Sequence, residues 1–204
     1  EARYREAAAK APGDWEPQLA LGRLALKAND LEKAAAALKL AAEKGPRQAE
    51  VQVGLGDLEM ARKAGAAAEA RYREALALDP GNARARYGLA RVALARGDER
   101  AALAELGQAL ALDPRLAPAL LGLASIQWGR GDLAGARKSF EGVVALDPRS
   151  AVARARLGAV ELESGRADAA VSNLEAAVSM DRALGEARGG LGRALLARGG
   201  GARA

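Results

Sequence analysis

The sequence contains no histidine and no cysteine, so any catalysis would fall to carboxylates, lysine, serine or tyrosine. General acid–base work needs two such groups converging on one substrate. Glu161 and Glu163 stand two residues apart, which puts them on different faces of a helix. The stretch Gly129-Arg130-Gly131-Asp132 has the glycines of a phosphate loop, but no strand leads into it and no Gly-Lys-Ser/Thr follows. It reads as a turn between helices. Without cysteine there is no disulfide and no thiolate metal site, and no catalytic residue, cofactor or metal is expected. The chemistry left is recognition. Aromatic residues are only 3% of the chain, so Tyr87 and Trp128, flanked by arginines, stand out as the residue types that anchor protein interfaces.

These side chains must be held by helices. Alanine and leucine dominate and β-branched residues are few. The formal charge of +5 is spread thinly over 204 residues with no block of like charge, which favours solubility over nucleic-acid binding. No run reaches the ~18 apolar residues a membrane span needs. Glu1 falls inside a repeating unit, so the chain is expected to be a mature product or an excised fragment. Its compartment is left open between cytoplasm and periplasm. The heavy use of Ala, Arg and Gly suggests a bacterial source.

The organising signal is a period. Leu-Asp-Pro ends at Pro80, Pro114 and Pro148, 34 residues apart, and stepping back gives Pro46 and Pro12. A fixed period of this size marks a stacked-repeat architecture. Counting each repeat from the third residue after its proline, the seventh station is Leu21, Leu55, Leu89, Leu123, Leu157 and Leu191. The eighth is Gly or Ala throughout. The twentieth is Ala34, Ala68, Ala102, Ala136 and Ala170, and the twenty-seventh is small. The twenty-fourth is large: Tyr4, Leu38, Tyr72, Leu106, Phe140 and Leu174. Large side chains set against small ones let two helices pack closely. Gly97, Gly131, Gly165 and Gly199 recur where a first helix ends on a residue tolerant of positive φ. Asp30, Asp98 and Asp132 follow that station as caps for the next helix. The second repeat has Lys63-Ala64-Gly65 there, so its turn is expected to be shifted by a residue or two.

These stations resemble the tetratricopeptide repeat. The resemblance covers a half repeat at 1–14, full repeats at 15–48, 49–82, 83–116, 117–150 and 151–184, a half repeat at 185–198, and a Gly-rich tail at 199–204 expected to be flexible. It implies an all-α, right-handed α-solenoid of about twelve antiparallel helices. The family's aromatic near station four and its Tyr at station eleven are absent, implying thinner packing between helices. The last helix, with Gly185, Gly189, Gly190 and Gly192, is expected to be the least stable, each glycine costing roughly 1 kcal/mol relative to Ala.

The resemblance further implies that the first helix of each repeat lines a concave wall, with stations two, five, nine, twelve and thirteen facing the groove. The candidate partner-binding residues are Arg23, Met60, Arg84, Tyr87, Arg91, Leu121, Ser125 and Trp128. The competing reading has Trp128 filling a gap between repeats, and Arg84 and Arg91 paired with Glu50 and Asp57 of the preceding repeat. Trp15 reads as a staple over Tyr4. Relatives that clamp a carboxylate use Lys at five and Asn at nine, which no repeat here has; an asparagine ladder at station six is also missing (Ala20, Gly54, Gly88, Gly122, Arg156, Gly190). The expected function is a protein-interaction scaffold holding a peptide or helix of another protein in the groove. Two alternatives stand beside it. One is self-assembly through the half-repeat ends (Tyr4, Leu191, Leu195), as in an envelope assembly or export complex; the other is a nucleic-acid superhelix, disfavoured because acidic and basic groove residues balance.

Overall fold

A computed structural model describes residues 1–201; residues 202–204 of the tail lie outside it. The described residues form twelve α-helices and no strand: α1 Ala2–Lys10, α2 Glu16–Lys27, α3 Leu31–Lys44, α4 Ala49–Ala61, α5 Gly65–Leu78, α6 Ala83–Ala95, α7 Glu99–Leu112, α8 Ala117–Gly129, α9 Leu133–Leu146, α10 Ala151–Glu163, α11 Ala167–Met180 and α12 Gly185–Gly201. This is the all-α helix-pair architecture of the α-solenoid class. The chain divides into two units, one from Glu1 to Pro114 and one from Arg115 onward.

Each turn is written in its residues. Asp30, Asp98 and Asp132 each accept the backbone N–H three residues on, at 3.1, 2.9 and 2.9 Å, and so satisfy a donor the helix start leaves open. The preceding residue takes the left-handed conformation at Asn29 (φ 57), Lys63 (φ 61), Gly97 (φ 78), Gly131 (φ 77) and Gly165 (φ 74). Lys63 keeps the 34-residue spacing, so the expected shift of the second turn does not occur. Its backbone adopts the strained conformation instead, because tertiary packing of the pair outweighs the ~1 kcal/mol a Cβ costs there. Gly199 is not a turn residue: α12 runs on to Gly201, past Arg198, where the repeat spacing predicts its end. Glycine weakens a helix without blocking its hydrogen bonds, and no proline stops this one. At the other ends, Asp79, Asp147 and Asp181 accept the N–H two residues on, at 3.0, 3.1 and 2.8 Å. Asp181 does so although Arg182 stands where proline stood, which is why the ladder survives that loss.

The core lies between helices of a pair and between neighbouring pairs. In the first unit Leu38 and Tyr72 are fully buried; in the second, Phe140 and Leu174 are. Station twenty-four is therefore the large core position, with the alanines at twenty around it. A Cβ added at Gly56 or at Gly88 would fall 2.5 or 2.4 Å from the Tyr72 ring. The ring thus occupies space that a glycine in its own repeat and one in the next repeat both leave open. Leu38 between Gly22 and Gly54, and Leu174 between Gly158 and Gly190, repeat the device. Station seven is less central: Leu89 and Leu123 are half-buried, whereas Leu58, Val92, Ile126 and Val160 at station ten are buried. Trp15 packs over Gly45 and the Leu38 cluster rather than shielding Tyr4, which stays 45% exposed.

First helices of neighbouring repeats touch at α2 with α4, α4 with α6 and α10 with α12, while second helices touch the helix before them and, at α3 with α4, α5 with α6, α9 with α10 and α11 with α12, the first helix of the next pair. Each unit therefore has a first-helix face and a second-helix face, and the candidate residues sit on the former.

Candidate functional site

In the first unit the face is built on α4. Glu50, near the start of that helix, accepts hydrogen bonds from Arg23 of α2, from Arg84 of α6 at 3.4 Å and from the Asn82 amide at 3.0 Å. Burial works to raise this carboxyl, but Arg23, Asn82 and Arg84 together outweigh it and hold it below the ordinary glutamate value. Two turns on, Asp57 accepts from the Tyr72 hydroxyl at 2.9 Å and from Arg91 at 2.5 Å. The Arg91 guanidinium also lies 5.8 Å from the centre of the Tyr87 ring, in cation–π contact. Burial, then the Asp57 charge, pushes the Tyr72 phenol far up, so it stays a neutral donor at ordinary pH. Met60 is half-buried against the Tyr72 cluster. Arg84 and Arg91 thus meet acids of the preceding repeat, the arrangement of the competing reading, and Arg23 meets Glu50 of the following one.

In the second unit the face carries less charge. Trp128, near the end of α8, is half-buried and meets Phe140 edge to face, with ring centres 6.2 Å apart and planes at 85°. Its indole N–H donates to Glu163 of α10 at 2.7 Å, which fixes how the ring stands over the face. Leu121 is half-buried against the Phe140 cluster; Ser125 is exposed, its hydroxyl donating to the Leu121 carbonyl at 2.8 Å. Glu161 and Glu163 part as expected: Glu163 faces Trp128, while Glu161 is 3% exposed, its Oε2 making no hydrogen bond and only a 3.9 Å ion pair with Arg166. Among the described residues no group of three or more His, Cys, Asp or Glu could hold a metal, and no helix is long and apolar enough to cross a membrane.

One expectation about the face needs correction. Leu19 and Val53 at station five, expected on the open face, are buried at 4% and 3% exposure, Leu19 meeting only the edge of the cavity beside Trp15. Leu19 turns inward because the glycine at station six of the next repeat leaves room: a Cβ on Gly54 would meet it at 2.8 Å. In the sequence those station-six glycines read only as a missing asparagine ladder, although their own 34-residue spacing carries the signal. Asn82 has no place in the sequence-derived site either. It both caps α6, accepting from Ala85 N–H at 2.9 Å, and braces Glu50.

Sequence models of the tetratricopeptide repeat match residues 1–49, 19–83 and 53–117, and a second such model matches 93–157. No curated protein sequence matches the chain. Among solved structures, YrrB, described as a TPR protein with an unusual peptide-binding site, is 22% identical over 90% of this chain and 95% of its own, with a TM-score of 0.57. TTC0263, a thermophilic TPR protein of Thermus thermophilus, is 21% identical over 89% of this chain and 99% of its own, at 0.71. A chain of the APC/C hetero-tetramer Cut9–Hcn1 is 16% identical, at 0.81; the match covers 94% of this chain but only 38% of that longer one. At these identities the likeness is one of fold. With the repeat models spanning most of the sequence and the helix pairs following the same period, the chain belongs to the tetratricopeptide repeat family, whose repeats are scaffolds for protein–protein interaction.

Proposed function

We propose that the first-helix face binds a peptide or helical segment of a partner protein, with no catalytic step. Arg23, Met60, Arg84, Tyr87 and Arg91 are the contact residues in the first unit, and Leu121, Ser125 and Trp128 those in the second. The observation that carries this reading is the state of the two aromatics. Tyr87 and Trp128 are half-buried on that face, one oriented by Arg91 and the other by Glu163. A rigid aromatic held in place by its own chain offers contact area at little entropic cost. The peptide-binding description of YrrB is consistent with this use of the fold.

The test is calorimetry with a partner identified by affinity capture. Tyr87→Ala or Trp128→Ala should each weaken binding by roughly tenfold or more while leaving the helical signal in place. Parent-like affinity in both variants removes the groove reading. A second reading rests on the exposed apolar side chains at Tyr4 (45%), Leu195 (39%) and Leu196 (78%), which suit end-to-end association of copies. Sedimentation at several concentrations separates it: a mass that does not rise with concentration excludes self-assembly. Arginines tied to carboxylates across the first unit argue against a continuous basic stripe for nucleic acid there.

A further inference from the structure

One station of the repeat behaves differently in the two units. At station nine of the second repeat, Asp57 holds Arg91, the station-nine residue of the next repeat. At station nine of the first, Arg23 holds Glu50, the station-two residue of the next repeat. In the fifth repeat station nine is Ala159. Its neighbours by the same rules are Arg193 and Glu186, and neither has an ion pair among the described residues. Arg156, one turn before Ala159 on α10, has none either.

These groups line one open cavity of about 380 Å³. Trp128 forms a wall, and Ala155, Ala159 and Gly189 leave the space between the charges unfilled. A Cβ built on Gly189 would meet nothing within 4 Å, so that side is open to an incoming chain. In a larger cavity of about 650 Å³ beside Tyr4 and Trp15 the one lining arginine, Arg23, is already neutralised by Glu50, and Asp14 and Glu16 stand beside Lys27.

Building on the groove reading, we propose that this cavity receives an extended peptide segment of a partner protein through one acidic side chain beside one apolar side chain. The carboxylate takes the place Asp57 holds in the first unit and bonds to Arg193 and Arg156; the apolar group lies against Trp128 over Ala155. Planar guanidinium groups suit a carboxylate, and the indole edge is already satisfied by Glu163, leaving its face for apolar contact. Glu186 on the same lining repels a second acid, so a run of acidic residues is a poorer ligand than a single one.

The test is selection of random heptapeptides against the full chain. The peptides are displayed as N-terminal fusions, so that no free C-terminal carboxylate is offered. Selected sequences are then synthesised with both ends capped and titrated by calorimetry. The expected winners place one Asp or Glu next to an apolar residue. Arg193→Ala should weaken them about tenfold, the usual worth of a charge-assisted hydrogen bond. Ala159→Asp, which restores the internal acid, should abolish binding with no loss of thermal stability. Arg100→Ala, an exposed position on α7, should leave affinity unchanged. Winners without an acid, or winners bound equally well by Arg193→Ala and Ala159→Asp, overturn the proposal. If such peptides are lost only in Tyr87→Ala, the groove reading survives and this one falls; if no peptide is selected, both fall.

Discussion

The two units present the same helix face in opposite electrostatic states. In the first, Glu50 and Asp57 on α4 gather Arg23, Arg84, Arg91 and Asn82 from the pairs on either side. In the second, the equivalent places on α10 are Val152 and Ala159, neither of them acidic, and Arg156, Arg193 and Glu186 face a cavity without ion pairs of their own. The backbone scaffold is common to both, since the period and the buried station-twenty-four residue are kept. The contrast teaches that in a repeat array the fold and the face are set by different residues. Replacing the acids at stations two and nine, Glu50 and Asp57, by Val152 and Ala159 leaves the arginines of that face without internal partners.

The most damaging way to break the comparison is to remove the common scaffold. Tyr72→Ala should cost the first unit ~3–5 kcal/mol, because the ring fills space left by both Gly56 and Gly88. Urea denaturation reads the loss, and a change under about 1 kcal/mol would show that the two glycines close on the vacancy. Next in size, Asp57→Ala makes the first unit resemble the second by releasing Arg91 and the Tyr72 hydroxyl together. About 1–2 kcal/mol should go in the same denaturation, discounted because the ion pair is a third exposed. A third change sharpens the turns. Lys63→Gly gives the first unit the glycine that the second has at Gly131 and Gly165, and should raise the denaturation midpoint by the equivalent of about 1 kcal/mol. The smallest effect is on acid stability. The Glu50 carboxyl lies below its ordinary 4.5 in the folded chain, so its contribution is complete above about pH 4.5 and drains away as pH falls through the depressed value. Glu50→Gln should lose that part of the acid slope, with unfolding midpoints compared between about pH 6 and pH 3. An unchanged slope would mean the pairs around Glu50 carry no net stability.

Most of the architecture was legible because it depends on size and spacing. Ala34 through Ala170 and the bulky residues eight positions before each turn proline can be matched by eye, and the Asp caps follow. Lys63 escaped because its left-handed backbone is imposed by packing on both sides, whereas its own chemistry argues against it. Leu19 escaped because its burial depends on a hydrogen atom in the next repeat, at Gly54, where any other residue would bring a Cβ. The candidate site was legible as a set of residue types at fixed stations. Its division into paired and unpaired arginines was foreshadowed only as a competing reading, since ion pairing across repeats depends on rotamers as well as sequence distance. The cavity at Ala159 was hidden because its signal is a charge that is missing.

Tyr72 and Leu174 each sit in a slot contributed half by one helix pair and half by the next. The borders at 82/83 and 184/185 are therefore not seams. Cutting the chain at such a border would leave a large ring or branched chain with one side in water and an empty notch on the other fragment. Amide exchange in either of these neighbourhoods should accordingly report one shared opening event for adjacent pairs, in place of a graded loosening from one pair to the next.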